Sequence, residues 1–255
     1  MILDDIIANK QQEVAALKTR YQDKNLDELV QDLPKPRAFL KKGRFSLIAE
    51  IKKASPSAGL IRPDFNPTTL AKTYEESGAA AISVLTDNKY FQGQLADLKS
   101  AKDSTTIPVL RKDFIIDESQ IYESRVAGAD AVLLIVRLLD QDLLAGLLAL
   151  TEKLGMQALV ETHNAQEVKR ALQTAAKIIG INNRDLDTLE TDLNTTLNLV
   201  KLFPQLKERI LISESAIKSR AEVSRLKDAG VDGILVGETI LKSNNVGKKI
   251  EELMK

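Results

Sequence analysis

The chain has no cysteine and no tryptophan, a single histidine (His163), and aromatic side chains at only 4% of its 255 positions. Without cysteine there are no disulfides, no thiolate nucleophile and no sulfur-ligated metal. One histidine cannot form a His-pair zinc motif, and no metal or organic cofactor is expected. The longest apolar run, residues 131–136, falls far short of the roughly 20 residues that span a bilayer. Excess charge of one sign is missing as well. The 36 basic and 36 acidic side chains cancel, so neither nucleic acid nor an anionic membrane surface is an expected partner. The first ten residues carry Asp4 and Asp5 and have none of the apolar core of a secretory leader, so a cytoplasmic location is expected. A monomer accommodates every feature of the sequence.

Hydrophobic residues make up 44% of the chain. They fall into eight short runs, at 46–51, 80–85, 107–110, 131–136, 157–160, 178–181, 209–212 and 233–236, each separated from the next by room for a helix. Continuous apolar runs of this length suit parallel strands buried on both faces. Three corners echo one another: Ser77-Gly78-Ala79-Ala80-Ala81-Ile82, Ala127-Gly128-Ala129-Asp130-Ala131-Val132 and Ala229-Gly230-Val231-Asp232-Gly233-Ile234. In each, glycine supplies a left-handed residue that ends a helix just before a strand.

Eight such βα units close into a barrel of about 250 residues, although an open doubly wound sheet makes similar corners. The expected fold is α/β, a (β/α)8 or TIM barrel spanning residues 1–255 as one domain. Residues 1–45 form a helical N-terminal extension. There Leu3, Ile6, Ile7, Lys10, Val14 and Leu17 follow helical spacing, residues 26–33 suit a second short helix, and Pro34 and Pro36 interrupt before the first strand. Some 45 residues make a marginal core alone, so the extension is expected to pack on the barrel.

Barrel active sites are assembled at the C-terminal ends of the strands. Here the first run ends in Glu50 and Lys52, the third in Arg111, Lys112 and Asp113, and the fifth in Glu161 and His163. The sixth ends in Asn182 and Arg184, the seventh in Glu214 and Ser215. Residues two apart on a strand share a face, so Glu50 with Lys52, and Asn182 with Arg184, project together into one mouth. For one strand, a polar end is only where a loop begins; five together suit proton transfer on an anionic substrate. After the seventh and eighth runs, Ser213-Glu214-Ser215-Ala216 opens a helix near Ala216, and Val236-Gly237-Glu238-Thr239 opens another. Free backbone N–H groups there suit a phosphate.

Several strings carry a family resemblance. They are Ile48-Ala49-Glu50-Ile51-Lys52-Lys53-Ala54-Ser55-Pro56-Ser57, Leu85-Thr86-Asp87 with Tyr90-Phe91-Gln92-Gly93, and Pro108-Val109-Leu110-Arg111-Lys112-Asp113-Phe114. Ala158-Leu159-Val160-Glu161-Thr162-His163, Gly180-Ile181-Asn182-Asn183-Arg184-Asp185-Leu186 and Ser213-Glu214-Ser215 complete the series. In order and spacing the chain resembles the indole-3-glycerol-phosphate synthases over nearly its whole length. The resemblance implies a carboxy-lyase of tryptophan biosynthesis. Such an enzyme converts the phosphorylated small molecule 1-(2-carboxyphenylamino)-1-deoxyribulose 5-phosphate to indole-3-glycerol phosphate, carbon dioxide and water.

The resemblance makes Lys112 the acid for ring closure and gives Glu161 and Lys52 the proton transfers of dehydration, though the two lysines could exchange roles. Glu50 holds and polarises the lysines. Asn182, Arg184, Glu214 and Ser215 orient the substrate, with Arg184 toward its carboxylate, and Phe114 lines the anthranilate ring. Lys53 and Ser55 belong to the first βα loop or the phosphate site, together with Ala216, Gly237 and Glu238. His163 packs or hydrogen-bonds locally.

Two departures bear on phosphate binding. Ala216 stands where the family commonly has glycine, and alanine resists positive φ. Ala58 stands where a lysine is common. A phosphoribosylanthranilate-isomerase-like barrel would rely on a catalytic cysteine, which is absent. A non-catalytic sugar-phosphate binder would not need this acid–base set.

Overall fold

Each of the eight apolar runs forms a strand, and the strands close on themselves. The computed structural model describes residues 2–255. The strands are β1 (Ser46–Ile51), β2 (Ala81–Leu85), β3 (Val109–Lys112), β4 (Ala131–Ile135), β5 (Gln157–Thr162), β6 (Ile178–Asn182), β7 (Ile210–Glu214) and β8 (Gly233–Val236). All pair in parallel as a closed barrel, with β8 hydrogen-bonded back to β1, so the open-sheet alternative is excluded.

The helices in chain order are α1 (Ile2–Tyr21), α2 (Leu26–Gln31), α3 (Pro67–Glu76), α4 (Leu95–Asp103), α5 (Glu118–Val126), α6 (Gln141–Lys153), α7 (Ala165–Leu172), α8 (Asn194–Leu202), α9 (Arg220–Asp228), α10 (Glu238–Leu241) and α11 (Val246–Met254). Side-chain caps start most of the barrel helices: Asn66, Asp117, Asp140, Asn164 and Ser219 each accept a backbone N–H of the first turn. Gly78, Gly128 and Gly230 end helices at φ of 90°, 90° and 91°, as the repeated corners predict. Among the described residues, no helix is long and apolar enough to cross a membrane.

The third, fifth and seventh strands outrun their apolar runs. The runs end at 110, 160 and 212, whereas the strands continue to Lys112, Thr162 and Glu214. These polar residues continue the ladder because their charges find partners: Lys112 meets Glu50 and Glu214 inside the barrel, and Arg111 meets Asp113 and Glu123. The helix expected near Ala216 is also displaced: α9 begins at Arg220 behind the Ser219 capping box.

Alternation sorts the strands into two shells. Leu47, Ala49 and Ile51 of β1 face outward into the layer beneath the helices, with Val132, Leu134, Val160 and Ile181. Ile48, Leu110, Leu159 and Ile212, from the odd-numbered strands, fill the barrel interior with Ala81, Ala131, Ile178 and Leu235. The N-terminal extension packs against both ends of this interior. Leu3 and Ile6 of α1 join the cluster containing Phe114. At the opposite end, the Phe39 and Leu40 N–H groups donate to Gln157 Oε1 at 2.6 and 3.3 Å. The Arg37 N–H donates to Asp130 Oδ1 at 2.6 Å.

Candidate active site

One step above the apolar layer of Ile48, Leu110, Leu159 and Ile212, the same four strands contribute Glu50, Lys112, Glu161 and Glu214. Barrel interiors are built in such layers of four from alternate strands; this one is charged. Lys112 Nζ lies 3.3 Å from both Glu50 Oε1 and Glu214 Oε2. Glu50 Oε2 meets Lys52 Nζ at 2.6 Å, so one carboxylate bridges both lysines. The neighbouring strands leave room. A Cβ on Gly180 would collide with the Glu214 carboxylate, and one on Gly237 with Glu50. Tyr74 of α3 donates to the Glu50 carbonyl at 3.1 Å and anchors this stretch from behind.

Burial and charge oppose each other at every member of the ring. Burial pushes the Glu50 carboxyl up, but the Lys52 and Lys112 ammonium groups outweigh it and bring it to about 2. Burial favours neutral Lys112, yet Glu50, Glu214 and Glu161 together hold it above the usual lysine range. Glu161 and Glu214 form a coupled pair. Burial and the neighbouring Glu161 push Glu214 up to about 8, while His163 and Lys112 overcome burial at Glu161 and hold it near 2. Two buried carboxyl groups this close titrate together, so a proton held there belongs to the pair rather than to either residue alone.

His163 does more than pack locally. Its Nδ1 lies 3.0 Å from Glu167 Oε2 and its Nε2 3.2 Å from Glu161 Oε1. Burial would lower this imidazole, but the two carboxylates outweigh it and raise it to about 10. A raised group stabilises the fold fully below its unfolded value of 6.5, and that contribution is lost as pH rises through about 10. Glu214 acts with the same sign between 4.5 and about 8. Glu50 and Glu161 act oppositely, stabilising above 4.5 and losing that contribution as pH falls toward about 2. Urea midpoints are therefore expected to fall steadily from about pH 6.5 to 10, and His163→Asn to flatten the upper part of that slope. An unchanged slope in the variant would mean that His163 is not an imidazolium.

Above the ring lies a cavity of about 820 Å³. Glu50, Lys52, Lys112, Glu161, Asn182, Arg184, Ser215, Ala216, Phe114, Gly237 and Glu238 all line it. Phe91 and Phe114 form one wall, their ring centroids 6.0 Å apart. Asn182 Oδ1 accepts the Arg184 N–H at 3.0 Å, and the Arg184 guanidinium is steadied by the Leu189 carbonyl at 2.7 Å.

Three residues named from sequence are not among the lining. Glu214 is fully buried, with its Oε2 3.3 Å from Lys112 Nζ. Lys53 lies beyond the end of β1, outside the cavity lining, and its charge acts on Asp97 of α4. Ser55 lies in a short hairpin, where its hydroxyl accepts the Ala58 N–H at 3.2 Å. Sequence reading missed Lys218, Lys242 and Lys249, which bring positive charge to the β7–β8 side of the cavity. No motif marks them; a lysine on an amphipathic C-terminal helix reads as a solvated face.

Ser215 and Ala216 adopt φ of 66° and 62°. Alanine therefore occupies the left-handed conformation that the sequence argued against. The neighbours over-determine it. Asn183 Nδ2 donates to the Glu214 and Ser215 carbonyls at 2.9 and 3.1 Å, and Thr239 Oγ1 donates to the Ile217 carbonyl at 2.7 Å. Ala216→Gly is expected to raise stability by about 1 kcal/mol by removing this strain. Ala216→Val should lower stability more than an exposed Ala→Val substitution does. Urea unfolding checks both, and a destabilised glycine variant would contradict the strain.

A family model described as indole-3-glycerol phosphate synthase matches residues 3–253. An indole-3-glycerol phosphate synthase of Dehalococcoides mccartyi is 48% identical over 261 aligned positions, covering all of both chains. Those of Desulforamulus reducens and Acidithiobacillus ferrooxidans are 45% and 46% identical, covering 100% and 99% of this chain and 97% and 98% of theirs.

Proposed function

The chain belongs to the indole-3-glycerol phosphate synthase family, and from that premise we propose how its residues close, decarboxylate and dehydrate 1-(2-carboxyphenylamino)-1-deoxyribulose 5-phosphate. The observation that carries the reading is the buried ring of Glu50, Lys112, Glu161 and Glu214 under a cavity with an aromatic wall. The first 45 residues act as part of the barrel rather than as a separate unit.

The anthranilate ring stacks along Phe114 and Phe91, its carboxylate toward Arg184. The phosphate lies toward the backbone N–H groups around Ser215, Ala216 and Gly237, with Lys218, Lys242 and Lys249 supplying charge. Ring closure forms a carbon–carbon bond between the carboxylate-bearing aromatic carbon and the ketone, and negative charge develops on the ketone oxygen. Lys112, kept an ammonium by three carboxylates, protonates that oxygen in a water-poor setting where its charge counts most. The cationic nitrogen left in the ring withdraws the electron pair of the carbon–carboxylate bond; carbon dioxide departs and aromaticity returns. Dehydration removes a proton from the methylene beside nitrogen and the hydroxyl from its neighbour. Glu161, ionised at neutral pH, takes the proton, and Lys52 delivers one to the departing hydroxyl. Asn182 and Ser215 hold the sugar hydroxyls in line, and Glu50 and Glu214 keep the lysines in place.

Indole fluorescence followed from the carboxyphenylamino-deoxyribulose phosphate tests the reading, and the purified chain is expected to turn over. A folded chain that binds the substrate yet releases neither indole product nor carbon dioxide would reduce it to a sugar-phosphate binder.

A further inference from the structure

We propose that Lys10, in the N-terminal extension, is a positioning residue for this reaction. Its ammonium clamps together the loops that follow β2 and β3, and through them sets the aromatic wall and Lys112. The inference rests on the reading of the cavity given above.

Lys10 occupies the inward stripe of α1, between Ile6 and Val14, where helical spacing calls for an apolar side chain. It is only 2% exposed. Burying an ammonium costs several kcal/mol, and a well-packed apolar residue in such a place is often neutral or stabilising. Packing alone does not explain a lysine here; its partners do. Nζ lies 2.8 Å from Asp113 Oδ1, 3.1 Å from Asp87 Oδ2 and 2.7 Å from Glu13 Oε2.

Both barrel carboxylates in turn hold the backbone of the mouth. Asp113 Oδ1 accepts the Phe114 N–H at 2.8 Å, and Oδ2 takes the Thr86 hydroxyl at 2.6 Å and Arg111 Nη2 at 3.0 Å. Asp87 Oδ1 accepts the Tyr90 N–H at 2.8 Å, one residue before Phe91. Asp113 sits directly between Lys112 and Phe114. One cation thus ties the segment carrying Phe91 to the segment carrying Lys112 and Phe114. Its ion pairs do not reach the loops after β7 and β8. An error near 1 Å in such a contact costs about 10²-fold in rate, so a clamp one step from the chemistry has leverage.

Because the chain has no cysteine, Lys10→Cys gives a single thiol. Alkylation in urea with 2-bromoethylamine, followed by refolding, restores an ammonium of lysine length; iodoacetamide adds a neutral group. Lys10→Cys is expected to lose about 10- to 100-fold in kcat/KM. It should lose affinity for N-ethylanthranilate in parallel and keep the inhibition constant of inorganic phosphate within about twofold, since phosphate binds on the far side of the mouth. Aminoethylation should restore both losses and carbamidomethylation neither. A folded Lys10→Cys with wild-type kcat/KM overturns the proposal. So does equal weakening of N-ethylanthranilate and phosphate, which would make Lys10 a general stabiliser. Should that variant not fold, Asp87→Asn leaves Lys10 paired with Asp113 and Glu13 and must show the same selective loss, or the clamp is wrong. Failure of the wild type to turn over would sink the reading of the site instead, and N-ethylanthranilate binding across the variants would still judge the clamp.

Discussion

Lys112→Met will lower kcat by about 10³-fold, within the range for loss of a general acid, and will stop carbon dioxide release and indole formation together. Methionine keeps the length and the apolar stem, so the barrel interior stays filled. The ring tolerates the lost cation. Glu50 keeps Lys52 at 2.6 Å, Glu161 keeps His163 at 3.2 Å, and Glu214, raised by burial and by Glu161, takes up a proton readily once Lys112 is gone. The loss therefore falls on the chemistry, because no other ammonium stands within the ring of Glu50, Glu161 and Glu214. KM should change little, because the groups assigned to the phosphate lie on the β7–β8 side. Single-turnover measurements of carbon dioxide and fluorescence decide it. A loss smaller than about tenfold would transfer ring closure to Lys52.

Glu161→Gln will also lower kcat, by about 10²- to 10³-fold, but at a different step. Glutamine has the same shape and cannot take the methylene proton. Closure and decarboxylation run ahead of the block, so rapid-quench experiments should show a burst of carbon dioxide approaching one per site while indole fluorescence lags. Equal suppression of both signals would place Glu161 at or before ring closure. The substitution also removes one of the two carboxylates facing His163. The alkaline fall in stability should then begin at lower pH, since only Glu167 remains to hold the imidazolium.

These two residues show how unevenly the site was legible. Lys112 and Glu161 stand at the ends of apolar runs, and a barrel places strand ends at its mouth, so their convergence could be argued from spacing. Glu214 stands at such an end too, yet its complete burial beside Lys112 depends on how β7 is staggered against β6 and β8. Lys53 differs from Lys52 by one residue, and only the path of the loop after β1 takes it out of the mouth.

Local chemistry in the sequence determined the eight strands, the glycine corners, the caps that start most helices and the identity of the acid–base set. Each depends on period, on backbone freedom or on residue type, and these act over a few neighbouring residues. Tertiary structure decided the rest. It placed Glu50, Lys112, Glu161 and Glu214 in one buried ring, and there burial and mutual fields drive the two coupled carboxyls apart, Glu214 up and Glu161 down. It made His163 an imidazolium between two carboxylates, forced Ala216 into a left-handed turn through Asn183 and Thr239, and carried Lys10 from a helix stripe to Asp87 and Asp113. Such outcomes depend on distances between groups far apart in the chain, Lys112 and Glu214 being separated by 102 positions. Electrostatic energy follows those distances and the burial around them, and neither exists until the barrel closes.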